Sequence, residues 1–109
     1  MLLQVTKITG AEFESEVVNR KCNLVVDFYA TWCGPCVMLA KELDQVAEIL
    51  GEEVRIVKID TDENAELSSA MGIQGLPTIL FIPKDENKQA KFAEGLIPAQ
   101  QIMEILSEL

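Results

Sequence analysis

Apolar residues follow two rhythms along this chain, and each rhythm predicts an element. Val5 to Ile8 reads as a short first strand. Thr9 and Glu12 match a capping box ahead of a helix over Ala11 to Val18, where Phe13, Val17 and Val18 keep helical spacing. After a polar turn at Asn19-Arg20-Lys21 comes Leu24-Val25-Val26-Asp27-Phe28-Tyr29-Ala30. This run is apolar on both faces, which predicts a central strand. Met38, Leu39, Leu43, Val46, Ala47 and Leu50 return to helical spacing, over a helix from Pro35 to Leu50 stopped by Gly51. Val54 to Ile59 is a second buried strand rich in β-branched residues.

Asp62 is placed to cap a short helix running through Met71, with Gly72 as its end. Ile79 to Ile82 is another apolar strand, and Pro83 to Asn87 a polar connection. Lys88 to Glu94 then reads as an antiparallel partner, broken by Gly95. A last helix covers Ile97 to Leu109, with Pro98 near its start and Ile102, Ile105, Leu106 and Leu109 on one face. No repeat, linker or low-complexity tract interrupts the pattern. The expectation is a single α/β domain over residues 1–109, a length that suits one core.

The chemistry concentrates in Trp32-Cys33-Gly34-Pro35-Cys36, where the central strand ends and the long helix begins. Residues i and i+3 lie on one face of a helical turn, so the two sulfurs can reach each other and form a small-loop disulfide. Cys33 stands at the helix N-terminus, where unpaired N–H groups and the dipole favour an anion such as a thiolate. Moving a thiol from its ordinary pKa of about 8.5 to about 7 stabilises its anion by about 2 kcal/mol, within reach of such a terminus. Pro35 has no N–H to lose at an early helical position. Gly34 leaves room for a substrate backbone. The spacing alone is weak. It becomes informative because the motif lies inside strand–helix–strand, at the carboxyl end of a strand, where α/β sheets gather reactive groups.

Totals narrow the field further. Eighteen acidic residues against nine basic give a net charge of −9, which argues against nucleic acid and anionic membranes as partners. The absence of histidine removes Ser-His and Cys-His catalysis and most zinc sites. Three cysteines, Cys22, Cys33 and Cys36, supply neither a disulfide scaffold nor a four-thiolate zinc site. No metal or other cofactor is expected. The N-terminus lacks a basic region followed by a long apolar core, and the expectation drawn from this is a cytosolic protein.

Asp27 interrupts a strand buried on both faces. Burial raises the pKa of an isolated carboxyl, which makes Asp27 a candidate proton acceptor for Cys36. A solvated strand position is the plainer alternative.

With Trp-Cys-Gly-Pro-Cys after Val-Asp-Phe-Tyr-Ala, and Gly-Leu-Pro-Thr some forty residues on, the chain resembles the thioredoxin family over nearly its whole length. The resemblance implies a thioredoxin fold: a central mixed five-stranded β-sheet flanked by four α-helices, in the order βαβαβαββα. It implies dithiol–disulfide exchange with disulfide-containing protein substrates, cell redox homeostasis, and electrons drawn from a flavin-dependent thioredoxin reductase that uses NADPH. It makes Cys33 the nucleophile and Cys36 the resolving thiol of a redox disulfide, and supports Asp27 as the base. It brings the Lys58 ammonium toward Asp27 to tune it. Pro77 resembles the family's cis-proline, with Leu76 exposing backbone to an extended substrate. Trp32 shields the dithiol, and Gly34, Ile73, Gly75 and Gly95 complete an apolar docking patch. A monomer is expected.

The chain also departs from the family pattern. Val37 replaces a usual basic residue, Lys41 a usual kinking proline, and Pro83 to Asn87 a usual tight glycine turn. Cys22 lies outside the motif and reads as an inert or exposed thiol. The rival reading is a binding or assembly module in which the surface around Trp32 and Pro77 docks a partner and redox is incidental.

Overall fold

The computed structural model describes residues 4–109; Met1 to Leu3, the start of the stretch that bears on a leader, lie outside the described residues. The central apolar run becomes β2 (Asn23–Tyr29), flanked by β3 (Val54–Asp60) and β4 (Thr78–Ile82). With β1 (Val5–Lys7) and β5 (Lys91–Glu94) the sheet order is β1-β3-β2-β4-β5. β1, β3 and β2 run parallel; β4 and β5 run antiparallel to their neighbours. Four helices complete the chain: α1 (Gly10–Val18), α2 (Gly34–Leu50), α3 (Ala65–Ala70) and α4 (Ala99–Ser107). The order βαβαβαββα and the mixed five-stranded sheet are those implied by the resemblance.

Strand alternation builds a core on each face. Val25, Ile56, Ile79 and Phe81 face α2 and α4, meeting Leu39, Leu43, Val46, Ile102 and Leu106. Leu24, Val26, Phe28, Val57, Ile59 and Leu80 face the other way, with Phe13 and Val17 of α1 and Leu67 of α3 against them. The same alternation places Asp27 and Lys58 on the α2 side, in register with each other on adjacent strands. α2 runs unbroken for 17 residues through Lys41, and the stripe it buries begins at Cys36. It ends where Gly51 turns at φ 54 and donates its N–H to Ala47, a backbone angle that suits glycine.

Three elements start later than the periodic reading places them. α3 starts at Ala65 because Asp60, not Asp62, organises the preceding turn: Asp60 Oδ1 accepts from the N–H groups of Asp62 (2.9 Å) and Glu63 (3.3 Å). Asn64, at the N-cap, is committed elsewhere. Its Oδ1 accepts from Gly10 N–H at 2.7 Å and its amide donates to the Asp60 carbonyl at 2.9 Å, tying α3 to the start of α1. β5 begins at Lys91, later than Lys88, because a turn at Asp85 captures the N–H groups of Asn87 and Lys88. α4 begins at Ala99, behind Pro98, whose ring offers no cap; Glu42 of α2 supplies it, accepting from Ala99 N–H at 2.9 Å.

Candidate active site

The carboxyl end of β2 delivers the chain to the dithiol. Cys33 is the N-cap of α2, and its Sγ accepts a hydrogen bond from Cys36 N–H at 3.2 Å. This is the position from which short polar side chains satisfy the free donors of a helix start, and here a sulfur occupies it. An N–H aimed at that sulfur, with the helix dipole behind it, favours the thiolate when the pair is reduced. Cys33 and Cys36 form a disulfide, with their Cα atoms 5.2 Å apart. Both are buried, packed with Ala30 and lined by Tyr29 and Leu76.

A groove of about 520 Å³ opens over the dithiol. Trp32, Cys33, Gly34, Pro35, Ile73 and Leu76 all line it, so six of the singled-out residues meet in one place. Trp32 is 72% exposed, which excludes a core role. Its indole N–H donates to Asp62 Oδ2 at 2.8 Å, so the residue expected to cap α3 instead braces the tryptophan. The Leu76-Pro77 peptide is cis. Gly95, at φ 95, donates its N–H to the Pro77 carbonyl at 2.8 Å, and Thr78 Oγ1 bonds the Gly75 carbonyl, so both sides of this segment are tied. Thr61, Ser68 and Gln74 also line the groove; periodicity carries no trace of them because only the fold brings these segments to Cys33.

Asp27 and Lys58 do not line the groove. They lie in the sheet on the α2 face. Asp27 is 2% exposed, and its Oδ1 has no hydrogen-bond partner among the described residues. Burial holds its carboxyl far above the ordinary carboxylate range, at about 7, while the positive charge of Lys58 acts in the opposite direction. Lys58 makes no ion pair with Asp27 among the described residues; its ammonium lies over the Tyr29 ring, 5.6 Å from the centroid. The solvated-strand reading of Asp27 is therefore excluded. Lys58 acts on it only through space. Cys22 is a free, half-buried thiol remote from this site, beside Arg55 and Glu16.

The family model described as Thioredoxin matches residues 4–108. The chain belongs to the thioredoxin family. Membership, with the close-spaced cysteine pair, supports dithiol–disulfide chemistry at the level of the family. A chain solved as chloroplastic thioredoxin z, described as defining a type-specific target recognition, is 54% identical, with a TM-score of 0.95 over 99% of this chain and 96% of that one. The thioredoxin-like protein CITRX, chloroplastic, of Arabidopsis thaliana is 45% identical over 103 residues, 94% of this chain and 56% of that protein. The protein of the same description from Oryza sativa subsp. indica is also 45% identical, over 54% of its length. A thioredoxin of Pyropia yezoensis is 32% identical over 97% of both chains. The chain thus spans about half the length of the plant relatives it matches. These relatives correct the cytosolic expectation, since they are named chloroplastic. The physical reason is that a compartment is not encoded in the packing of the core or in the dithiol. No helix among the described residues is long and apolar enough to cross a membrane.

Proposed function

We propose that this chain is a protein-disulfide reductase that cycles between a Cys33/Cys36 dithiol and the Cys33–Cys36 disulfide. The observation that carries the reading is the Cys36 N–H aimed at Cys33 Sγ at a helix N-cap, with Cys36 on the buried side of the same turn. The Cys33 thiolate attacks one sulfur of a substrate disulfide. A mixed disulfide forms and the other substrate sulfur leaves as a thiolate. Cys36 then gives its proton to the Asp27 carboxylate and attacks Cys33 Sγ. The mixed disulfide breaks, the second substrate sulfur leaves, and two electrons have passed to the substrate.

Each remaining residue has a part in this cycle. Asp27, with a carboxyl near neutrality, is poised to exchange that proton at working pH. Lys58 tunes it from the neighbouring strand. Trp32, Gly34, Pro35, Ile73, Gly75, Leu76, Pro77 and Gly95 form the docking surface, with Leu76 presenting backbone to an extended substrate segment. Among the described residues no backbone partner engages Leu76, which supports that role. A flavin-dependent thioredoxin reductase drawing on NADPH restores the dithiol of a monomeric protein serving cell redox homeostasis. The chloroplastic relatives support a plastid as the place of work.

An insulin-type reduction assay tests the reading. Wild type is expected to reduce the interchain disulfides with a chemical dithiol as donor, and a Cys33→Ser, Cys36→Ser double variant to match the uncatalysed rate. Equal rates for both proteins would overturn it in favour of docking without redox chemistry.

A further inference from the structure

Beside the dithiol groove lies a second one of about 250 Å³, whose walls include Met71, Ile73, Gln74, Phe92 and Glu94. The two grooves share Ile73 and Gln74, so they lie side by side. The outer wall is β5, an edge strand. Alternation along β5 turns Ala93 toward the α2/α4 core and leaves Phe92 and Glu94 on the opposite face. Phe92 is 55% exposed there, apolar surface left uncovered beside the reactive site. Glu94 adds a charge. Its carboxylate lies against Gly75, so close that a Cβ on Gly75 would sit 2.6 Å from Glu94 Cδ. Among the described residues no cation pairs with it.

We propose that this groove is a subsite for the substrate polypeptide, and that it selects a lysine or arginine side chain near the reacting cysteine. The proposal rests on the disulfide-reductase reading and specifies its substrate class. The occupant follows from the chemistry of the walls. Phe92 and Met71 suit a long aliphatic stem, the Phe92 ring attracts a cation over its face, and the Glu94 carboxylate accepts a charge-assisted hydrogen bond. An apolar side chain would desolvate Glu94 without replacing its water, and an acidic one would be repelled. Among the described residues no cation lines the groove to compete. The chain's net charge of −9 draws cationic segments in the same direction.

The test uses disulfide-linked peptides carrying one arginine at successive positions on either side of the cysteine, each matched to a glutamine peptide. Wild type is expected to favour arginine by about fivefold in kcat/KM at one position, the range of a half-exposed ion pair plus a cation–π contact. The ratio should fall toward one in Glu94→Gln, and Glu94→Lys should favour glutamate peptides instead. Each variant is compared with itself across peptides, so a general loss of activity cancels. A wild-type ratio retained in Glu94→Gln overturns the proposal, as does reduction of every peptide without preference. A dimer in sedimentation that Phe92→Ser dissociates also overturns it, by assigning the groove to a second copy. If wild type reduces neither these peptides nor a small aromatic disulfide, the reductase reading falls and takes this one with it.

Discussion

Lys58 and Asp27 are register partners on adjacent strands, yet the lysine ammonium lies over the Tyr29 ring, 5.6 Å from its centroid, and not on the carboxylate. The carboxyl is therefore buried without an ion pair, and one of its oxygens has no hydrogen-bond partner among the described residues. A buried carboxylate in that state is costly, and the group keeps its proton up to about pH 7.

The folded pKa of Asp27 lies above its ordinary value of 3.8, at about 7, so the folded state binds a proton that the unfolded chain releases. Its contribution is full below about pH 4 and is lost as pH rises through about 7. Asp27→Asn removes the penalty. Relative to wild type it should gain about 3 kcal/mol in urea unfolding between about pH 5 and about pH 9. The same variant should release reduced substrate more slowly, because Cys36 has lost its proton acceptor. An advantage independent of pH would contradict both statements.

Lys58 pulls the Asp27 pKa down through space. Lys58→Met should therefore raise the pH at which the Asp27 carboxyl ionises, read from the carboxyl stretch in difference infrared spectra against Asp27→Asn. An unmoved midpoint would show that the ammonium over Tyr29 does not act on Asp27.

Cys36 resolves the mixed disulfide in the proposed cycle. Cys36→Ser should retain the attack by Cys33, lose turnover, and accumulate protein carrying substrate on Cys33, visible as a mass increase that a reductant reverses. Cys33→Ser should show neither turnover nor adduct. Normal turnover by Cys36→Ser would remove the resolving role.

Glu42 caps α4 from α2 through its bond to Ala99 N–H. Glu42→Ala leaves that donor at a helix start whose own N-cap residue is Pro98. A loss of about 1 kcal/mol is expected, with faster amide exchange at Ala99. The dithiol chemistry should be unaffected. An unchanged unfolding midpoint would mean that water replaces the carboxylate without cost.

Much of this architecture was legible in order of appearance. The apolar run from Leu24 to Ala30 predicts a strand covered on both faces, and Leu24, Val25, Val26, Phe28 and Asp27 are all buried. Thr9 and Glu12 predicted a capping box, and both halves of it are present. The helical spacing that ran forward from Met38 stopped at Gly51, as found. The late start of α3 shows where that legibility ends. Asp62 precedes a helical pattern and so reads as a cap, but Asp60 holds the turn, and Asp62 is engaged by Trp32 thirty residues away. A polar side chain near a helix start has several possible partners, and sequence shows only the local ones.

The sequence by itself determined the elements, the two-faced core and the placing of a dithiol at a helix start. These depend on periodicity and on residues within a few positions of each other. Only the tertiary structure decided that Lys58 rests on Tyr29, that Asn64 and Glu42 cap helices other than their own, and that Phe92 and Glu94 stand beside the dithiol groove. Such contacts join side chains twenty or more residues apart, and their geometry exists only once the strands have paired and the helices have packed.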